Sequence, residues 1–188
     1  GKTKSPEDLK YNQFIIWRQG KLDDFVLRFQ YRLIGGNSGV QYRSWEDEKQ
    51  WGKWAVGGYQ GDFASDDKHT GILYGERYRG ILASRGQKTV IGDNHKPTVV
   101  EQFGDEAGLQ EHIKKEDWND YEVTAQGFRF SHIINGHKMI EALDEDKEQR
   151  RRSGILAFQI HRGPAMTVQV RNIRLKRLSM ENTKKIAL

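Results

Sequence analysis

The chain has 188 residues, a hydrophobic fraction of 36% and a formal net charge of +5, and it contains no cysteine. This length suits one domain, so we expect residues 1–188 to fold as a single unit. The absence of cysteine excludes disulfides, thiolate catalysis and Cys-ligated zinc. The sequence has no run of ~18 apolar residues, so no membrane-spanning helix is expected. Its first ten residues lack the apolar core of a secretory signal.

The net positive charge raises the question of nucleic-acid binding. Basic and acidic residues are nevertheless interleaved over most of the chain, and the basic cluster at residues 150–152 follows the acidic segment 144–148. Mixed charge of this kind is typical of a solvated loop. We therefore do not expect nucleic acid among the partners, an interaction that would show a steeply salt-dependent affinity.

Alternating apolar and polar side chains mark the first predicted strands. Residues 25–34 (FVLRFQYRLI) follow the pattern of a half-buried strand. Gly35, Gly36 and Asn37 predict a turn, and residues 38–43 predict a second strand. These elements begin an antiparallel arrangement.

The middle of the chain is less regular. The polar segment 44–54 carries three tryptophans and is predicted to be a loop with one helical turn. Strands are predicted at residues 58–63 and 72–74. Residues 76–118 predict short strands and a long excursion, with a short helix near residues 105–115.

The C-terminal third shows clearer strand signals. Five strands are predicted there, at residues 119–126, 128–134, 138–143, 155–161 and 166–178. Asn135-Gly136 suits the two positive φ angles of a type I′ hairpin turn. The apolar phase of the last strand shifts near Arg171-Asn172, which predicts a bulge. Many short strands without βα alternation indicate an all-β antiparallel sandwich or barrel.

Four predicted strands each carry two polar side chains at positions i and i+2, which places each pair on one face. If the strands are neighbours, eight polar residues meet on one concave surface: Gln41, Arg43, Gln60, Asp62, Tyr74, Glu76, Gln159 and His161. Such a surface suits the hydroxyl groups of a sugar, and four tryptophans could provide stacking faces: Trp45, Trp51, Trp54 and Trp118. The alternative is that each of these positions is polar only because it faces water.

The histidines show no HExxH or other close ligand spacing. His161 is the best placed for proton transfer, because imidazole acts as acid or base near neutral pH. His132, beside the hairpin, is predicted to be structural. The sequence requires no cofactor, and it leaves open a divalent metal held by Asp62, Glu76 or backbone carbonyls.

Seven segments, in this order and spacing, resemble the 3-keto-disaccharide hydrolase domain family. They are NSGVQYRS at 37–44, GYQGDF at 58–63, TGILYGE at 70–76, DWNDYEVTAQG at 117–127, INGH at 134–137, GILAFQIHRG at 154–163 and VQVRNIRLKRL at 168–178. Each segment alone is a weak signal, whereas their combination is specific. The resemblance implies a concanavalin A-like antiparallel β-sandwich (jelly roll). Members of that family usually begin earlier, so the chain is expected to lack a first N-terminal strand.

The same resemblance implies cleavage of glycosides that a separate sugar 3-dehydrogenase has already oxidised at carbon 3. A 3-ketone acidifies the hydrogen on carbon 2, so a base can remove it and the enediolate can expel the group on carbon 1. We expect His161 or Glu76 to act as base or acid and Arg43 to stabilise the ketone or enediolate oxygen. The substrate-binding residues are expected to be Gln41, Gln60, Asp62, Tyr74 and Gln159. The family also suggests an extracytoplasmic location, periplasmic or secreted.

A non-catalytic carbohydrate-binding, lectin-like module is the main alternative. It would use the same amide and aromatic side chains without needing a residue that transfers a proton. Ordinary retaining glycosidases present two carboxylates ~5 Å apart. The corresponding strand here offers only Gln60 and Asp62, which argues against direct oxocarbenium chemistry.

Overall fold

The computed structural model describes residues 1–178, which form strands in two sheets and two short helices. The strands of the first half are β1 (Lys2–Thr3), β2 (Gln13–Leu22), β3 (Phe25–Ile34), β4 (Asn37–Glu46), β5 (Val56–Ala64), β6 (Leu73–Glu76) and β7 (Gly80–Ala83). Those of the second half are β8 (Gln87–Ile91), β9 (Pro97–Gln102), β10 (Asn119–Gln126), β11 (Arg129–Ile134), β12 (His137–Asp144), β13 (Gly154–Ile160) and β14 (Met166–Arg177). The helices are α1 (Glu48–Trp51) and α2 (Glu106–Gln110).

The two sheets form the predicted concanavalin A-like sandwich. One sheet has eight strands in the order β1-β14-β3-β10-β11-β12-β8-β9, and the other has six in the order β2-β13-β4-β5-β6-β7. Neighbouring strands of the described chain are antiparallel except for β8 and β12, which pair in parallel. The antiparallel prediction is therefore confirmed, with this single exception in the larger sheet.

Alternate side chains of both sheets meet in an aromatic core. On β3 the inward residues are Phe25, Leu27, Phe29, Tyr31 and Leu33, all buried. The ring of Tyr31 stacks on Phe63 of the opposite sheet, with centroids 4.4 Å apart. His132 is fully buried in this core; its Nε2 lies 2.9 Å from the Tyr42 hydroxyl and its Nδ1 lies 3.2 Å from that of Tyr121.

Two irregular points in the C-terminal third are confirmed. Asn135 and Gly136 have φ angles of 50° and 84°, as a type I′ hairpin turn requires. The register of β14 against β3 shifts between Arg171 and Arg174, and Asn172 has a φ of 54°. This is the bulge that the phase shift predicted.

Strand β2 is an edge strand that the alternation pattern did not predict. It has consecutive apolar residues at positions 14–17 rather than an alternating series, and it lies at the margin of the six-stranded sheet beside β13. Helix α2 is shorter than the range 105–115 expected for it. No helix in residues 1–178 is long and apolar enough to cross a membrane.

Candidate functional site

The outer face of the six-stranded sheet carries most of the polar side chains that strand alternation grouped. Gln41 of β4 lies opposite Gln60 of β5, and Gln60 lies opposite Tyr74 of β6. Asp62 stands two positions from Gln60 on the same strand, and Glu76 stands two positions from Tyr74. Because side chains two apart share a face, all of these residues project to the same side.

These strands form the floor of a cleft of 440 Å³, a size that fits a small molecule. Five of the predicted site residues line the cleft: Gln60, Asp62, Tyr74, Glu76 and His161. Asn37, at the start of β4, and the loop residues Asp66, His69 and Arg162 also line it. The structure thus brings together amide, carboxyl, phenol and imidazole groups in one hollow.

A directional series of hydrogen bonds fixes the floor. The hydroxyl of Ser44 donates to Gln41 Oε1 at 2.7 Å. Gln41 Nε2 donates to Gln60 Oε1, and Gln60 Nε2 donates to Asp62 Oδ1. Because each amide oxygen already accepts a hydrogen bond, each amide nitrogen is directed to the next residue. We call this series the Ser44–Asp62 relay, and it ends on a carboxyl group of the cleft.

The carboxyl group of Asp62 is only 4% exposed. Burial raises its pKa well above the usual value, the hydrogen bond from Gln60 opposes that shift, and the charges of Glu76 and Asp66 add to it. The raised pKa favours the neutral acid. A neutral carboxyl group can donate a hydrogen bond as well as accept one.

Glu76 is held by a residue from the opposite margin of the sheet. Asn12 Nδ2 donates to Glu76 Oε1 at 3.3 Å. Asn12 directly precedes β2, and four inter-strand steps separate β2 from the strand of Glu76. Four steps span ~19 Å in a flat sheet, so this contact joins parts of the sheet that are far apart in strand order.

Burial also raises the pKa of Glu76. The hydrogen bond from Asn12, the nearby Arg77 and His161 charges and the Gln159 amide oppose that shift. Burial raises the pKa of Tyr74 as well, and the charges of Glu76 and then Asp62 add to that shift.

The loop after β13 brings His161 and Arg162 to the cleft. The His161 backbone N–H donates to the Asn37 carbonyl oxygen at 3.3 Å. The Arg162 backbone N–H donates to Asn12 Oδ1 at 2.8 Å. In the loop between β5 and β6, His69 Nδ1 lies 2.8 Å from Asp66 Oδ2. Two imidazole groups, from two different loops, thus line the cleft.

Arg43 does not join this face, and the prediction that it does is wrong. The register of β4 against β5 shifts between Tyr42 and Trp45, and Arg43 has a φ of 48°. This bulge turns the side chain of Arg43 into the interior, where it is fully buried. Its Nη2 pairs with Asp24 Oδ1 at 2.8 Å, and its Nε donates to the Asp23 carbonyl oxygen at 2.8 Å. A guanidinium committed in this way cannot reach a ligand in the cleft.

Gln41 and Gln159 lie on the predicted face but below its surface. Gln41, a member of the relay, is fully buried, and Gln159 is 1% exposed. Within residues 1–178, neither side-chain polar atom of Gln159 has a hydrogen-bond partner in range, although its amide is close enough to Glu76 to favour the ionised carboxylate. Gln159 is therefore a buried amide next to the cleft with unused hydrogen-bonding capacity.

The tryptophans do not provide the stacking faces expected of them. Trp45, Trp51, Trp54 and Trp118 are absent from the lining of the cleft. Arg151 lies over the ring of Trp45, and Arg171 lies over the ring of Trp118. Tyr74 and Ile81, which lie opposite each other on β6 and β7, provide the apolar part of the cleft instead.

Several cleft residues were missed by strand alternation because they lie outside strands or at strand ends. Asn12 precedes β2, Asp66 and His69 lie between β5 and β6, and Arg162 follows β13. Residues 66–70 (DDKHT) are polar, but periodicity does not reveal that they lie beside the site strands. Among the described residues, no group of three or more His, Asp or Glu side chains is arranged to hold a metal ion.

Comparisons with known proteins agree with this architecture. The family model of the 3-keto-alpha-glucoside-1,2-lyase-like domain matches residues 3–176. Among solved structures, a proposed glycosyl hydrolase from Parabacteroides distasonis is 17% identical, with 90% of this chain and 85% of that chain covered at a TM-score of 0.59. The carbohydrate binding module CBM66 from Bacillus subtilis is 15% identical, with coverages of 88% and 82% and a TM-score of 0.55. At such identities the likeness shows the fold alone. No curated protein matches the chain.

Proposed function

Because the chain belongs to the 3-keto-alpha-glucoside-1,2-lyase-like domain family, we propose that it cleaves 3-keto-glycosides by elimination across carbons 1 and 2, followed by hydration. The observation that carries this proposal is that Glu76 and His161 line the same cleft, close enough for the His161 charge to favour the ionised Glu76 carboxylate. Elimination needs a base at carbon 2 and an acid at the leaving oxygen, and these two side chains meet that need.

Glu76 is the base in this proposal. It takes the hydrogen from carbon 2, and the electron pair of that bond forms the enediolate with the ketone at carbon 3. The enediolate then expels the oxygen on carbon 1. His161 donates a proton to this leaving oxygen, which departs as an alcohol. Water adds to carbon 1 and a proton returns to carbon 2, so the net reaction is hydrolysis without a change of oxidation state.

Asp62 takes the role that was expected of Arg43. Its buried carboxyl group is favoured in the neutral form, and Gln60 holds one of its oxygens. The O–H of a neutral carboxyl group can donate to the ketone oxygen and stabilise the negative charge that develops there. The Ser44–Asp62 relay keeps this donor in place without reorganisation during the reaction.

The test compares a 3-keto-glucoside with its unoxidised parent in deuterated water. We expect turnover of the 3-keto compound alone, with deuterium at carbon 2 of the product beyond that in an enzyme-free blank. Glu76→Gln and His161→Ala should each lose at least about 100-fold in kcat/KM. Glu111→Gln and His137→Ala, at exposed positions outside the cleft, are the matched controls. Full activity in both cleft variants would refute the assigned base and acid.

A carbohydrate-binding module is the second candidate, and the likeness of the fold to CBM66 favours it. Such a module would bind both the oxidised and the unoxidised sugar without converting either. Binding by calorimetry without product from either compound would therefore replace the enzymatic proposal. The enzymatic proposal also requires a partner reaction, in which a sugar 3-dehydrogenase oxidises the glycoside first.

A further inference from the structure

We propose that Asn12 is a positioning residue that holds the Glu76 carboxylate against the His161 loop. Asn12 is outside the regular strands and was not among the residues predicted for the site. Its two side-chain polar atoms join two parts of the cleft that are distant in the sheet, namely Arg162 and Glu76.

The orientation of the Asn12 amide is fixed by a donor that cannot act as an acceptor. The Arg162 backbone N–H donates to Asn12 Oδ1 at 2.8 Å, so this end of the amide must be the oxygen. The NH₂ group then faces Glu76 Oε1 at 3.3 Å. A single amide thus ties the loop of His161 and Arg162 to the strand that carries Glu76.

Other groups also face Glu76, and their influence has to be separated from that of Asn12. Arg77 Nε lies 4.0 Å from Glu76 Oε1. His161 and the Gln159 amide from the end of β13 also favour the ionised carboxylate, whereas burial disfavours it. Asp62 of β5 and Tyr74 of β6 lie on the same face as Glu76. Among the influences that favour ionisation, the hydrogen bond from Asn12 is the largest.

Substitution of Asn12 by aspartate distinguishes the roles of its two hydrogen bonds. Asn12→Asp keeps an oxygen for the Arg162 N–H but replaces the donor to Glu76 with a second acceptor and a like charge. Asn12→Ala removes both contacts. If Asn12 positions Glu76, the pKa of Glu76 rises in both variants, and it rises further in Asn12→Asp than in Asn12→Ala.

The measurement is an NMR titration of the Glu76 side-chain carboxyl carbon, assigned by its loss in Glu76→Gln. Asn94→Asp is the matched control, because Asn94 Oδ1 also accepts a backbone N–H, from Lys96 at 3.1 Å, outside the cleft. It should leave the Glu76 titration unchanged. If Glu76 titrates in Asn12→Asp as it does in the wild type, the proposal is overturned, and Asn12 only holds the loop through Arg162.

The kinetic consequence rests on the proposed function, whereas the titration needs no substrate. With a 3-keto-glucoside, the acidic limb of the kcat/KM profile should move to higher pH by the same amount as the Glu76 pKa. A shifted titration without turnover by the wild-type protein would refute the proposed reaction and leave the positioning role intact. Turnover with an unshifted acidic limb in Asn12→Asp would refute the positioning role.

Discussion

Arg43 and Asp24 form an ion pair inside the sandwich, with 2.8 Å between Nη2 and Oδ1 and almost no exposure of either side chain. Arg152, which is 39% exposed, reaches the same carboxylate. Removal of Arg43 leaves this buried carboxylate with a partly exposed partner alone, and it deprives the carbonyl oxygens of Asp23 and Gly127 of their donor. Arg43→Met is therefore expected to lower the free energy of unfolding by ~3–5 kcal/mol, measured by urea denaturation.

Arg152→Met provides the comparison for that variant, and its loss should be only ~1 kcal/mol because the side chain is partly solvated. Turnover per folded molecule should be unchanged in Arg43→Met, since Arg43 does not reach the cleft. Equal losses of stability in the two variants, or a selective loss of kcat in Arg43→Met, would contradict this assignment.

Glycines on both neighbouring strands make room for the bulge that buries Arg43. A Cβ atom at Gly154 would lie 2.3 Å from the Arg43 carbonyl carbon and 2.5 Å from the Ser44 nitrogen. Backbone atoms cannot move aside as a flexible side chain can, so Gly154→Ala should lower the free energy of unfolding by ~1–3 kcal/mol. Circular dichroism during thermal unfolding measures the loss.

Gly92→Ala is the control for that substitution, because a Cβ atom at Gly92 would lie 3.7 Å from its nearest neighbour, Asn94 Oδ1. Its stability should stay within ~0.5 kcal/mol of the wild type. Gly154→Ala should also weaken catalysis, since Ser44 begins the relay that ends at Asp62. Unchanged stability in Gly154→Ala would mean that the bulge is not constrained in this way.

Asp62 makes stability depend on pH through its raised pKa. A carboxyl group whose pKa is higher in the folded state stabilises the fold fully below its unfolded pKa of ~3.9. That contribution is lost as the pH rises through the folded pKa, by ~1.4 kcal/mol for each unit of the shift. Asp62→Asn removes the ionisation but keeps an oxygen for Gln60, so the variant should gain stability over the wild type as the pH rises. Urea denaturation from pH 4 to pH 8 tests this, and a constant difference would contradict it.

His132 changes stability with pH in the opposite direction, because its contribution is lost as the pH falls. Burial lowers its pKa to about 4, and hydrogen bonds with the backbone of Gly71 and Ile72 oppose that shift. The neutral ring is therefore stabilising above the unfolded pKa of ~6.5, and this contribution is lost as the pH falls towards the folded value, by ~3 kcal/mol in total. His132→Gln should have a flatter stability profile between pH 6.5 and pH 4. His137→Gln, at an exposed position, should keep the wild-type slope, and an equally flat profile there would refute the assignment.

Strand alternation predicted the floor of the cleft because its signal is strict in a sheet. Gln60 and Asp62 on β5, and Tyr74 and Glu76 on β6, share one face, as their spacing requires. Periodicity could not predict that these strands are neighbours. It also missed Asn12, which lies outside the strands and reaches Glu76 from the segment before β2.

The error over Arg43 has a specific cause. Alternate residues of a strand share a face only while the strand keeps its register, and the bulge after Tyr42 shifts the register of β4. A non-glycine residue with positive φ is uncommon and leaves no mark in its own sequence position. The available signal lay on the neighbouring strands, where Gly58 and Gly154 stand beside the bulge.

The parallel pairing of β8 with β12 has a consequence for the order in which the protein assembles. β11 and β12 are joined by a tight turn and can meet early, whereas β8 has to wait until the intervening chain has been synthesised and has folded back. Contacts between sequence-distant segments form slowly, because loop closure must precede them. We therefore expect β8 and β9 to join the larger sheet only after β11 and β12 have paired, and nascent chains that stop before β12 to expose an open edge to aggregation.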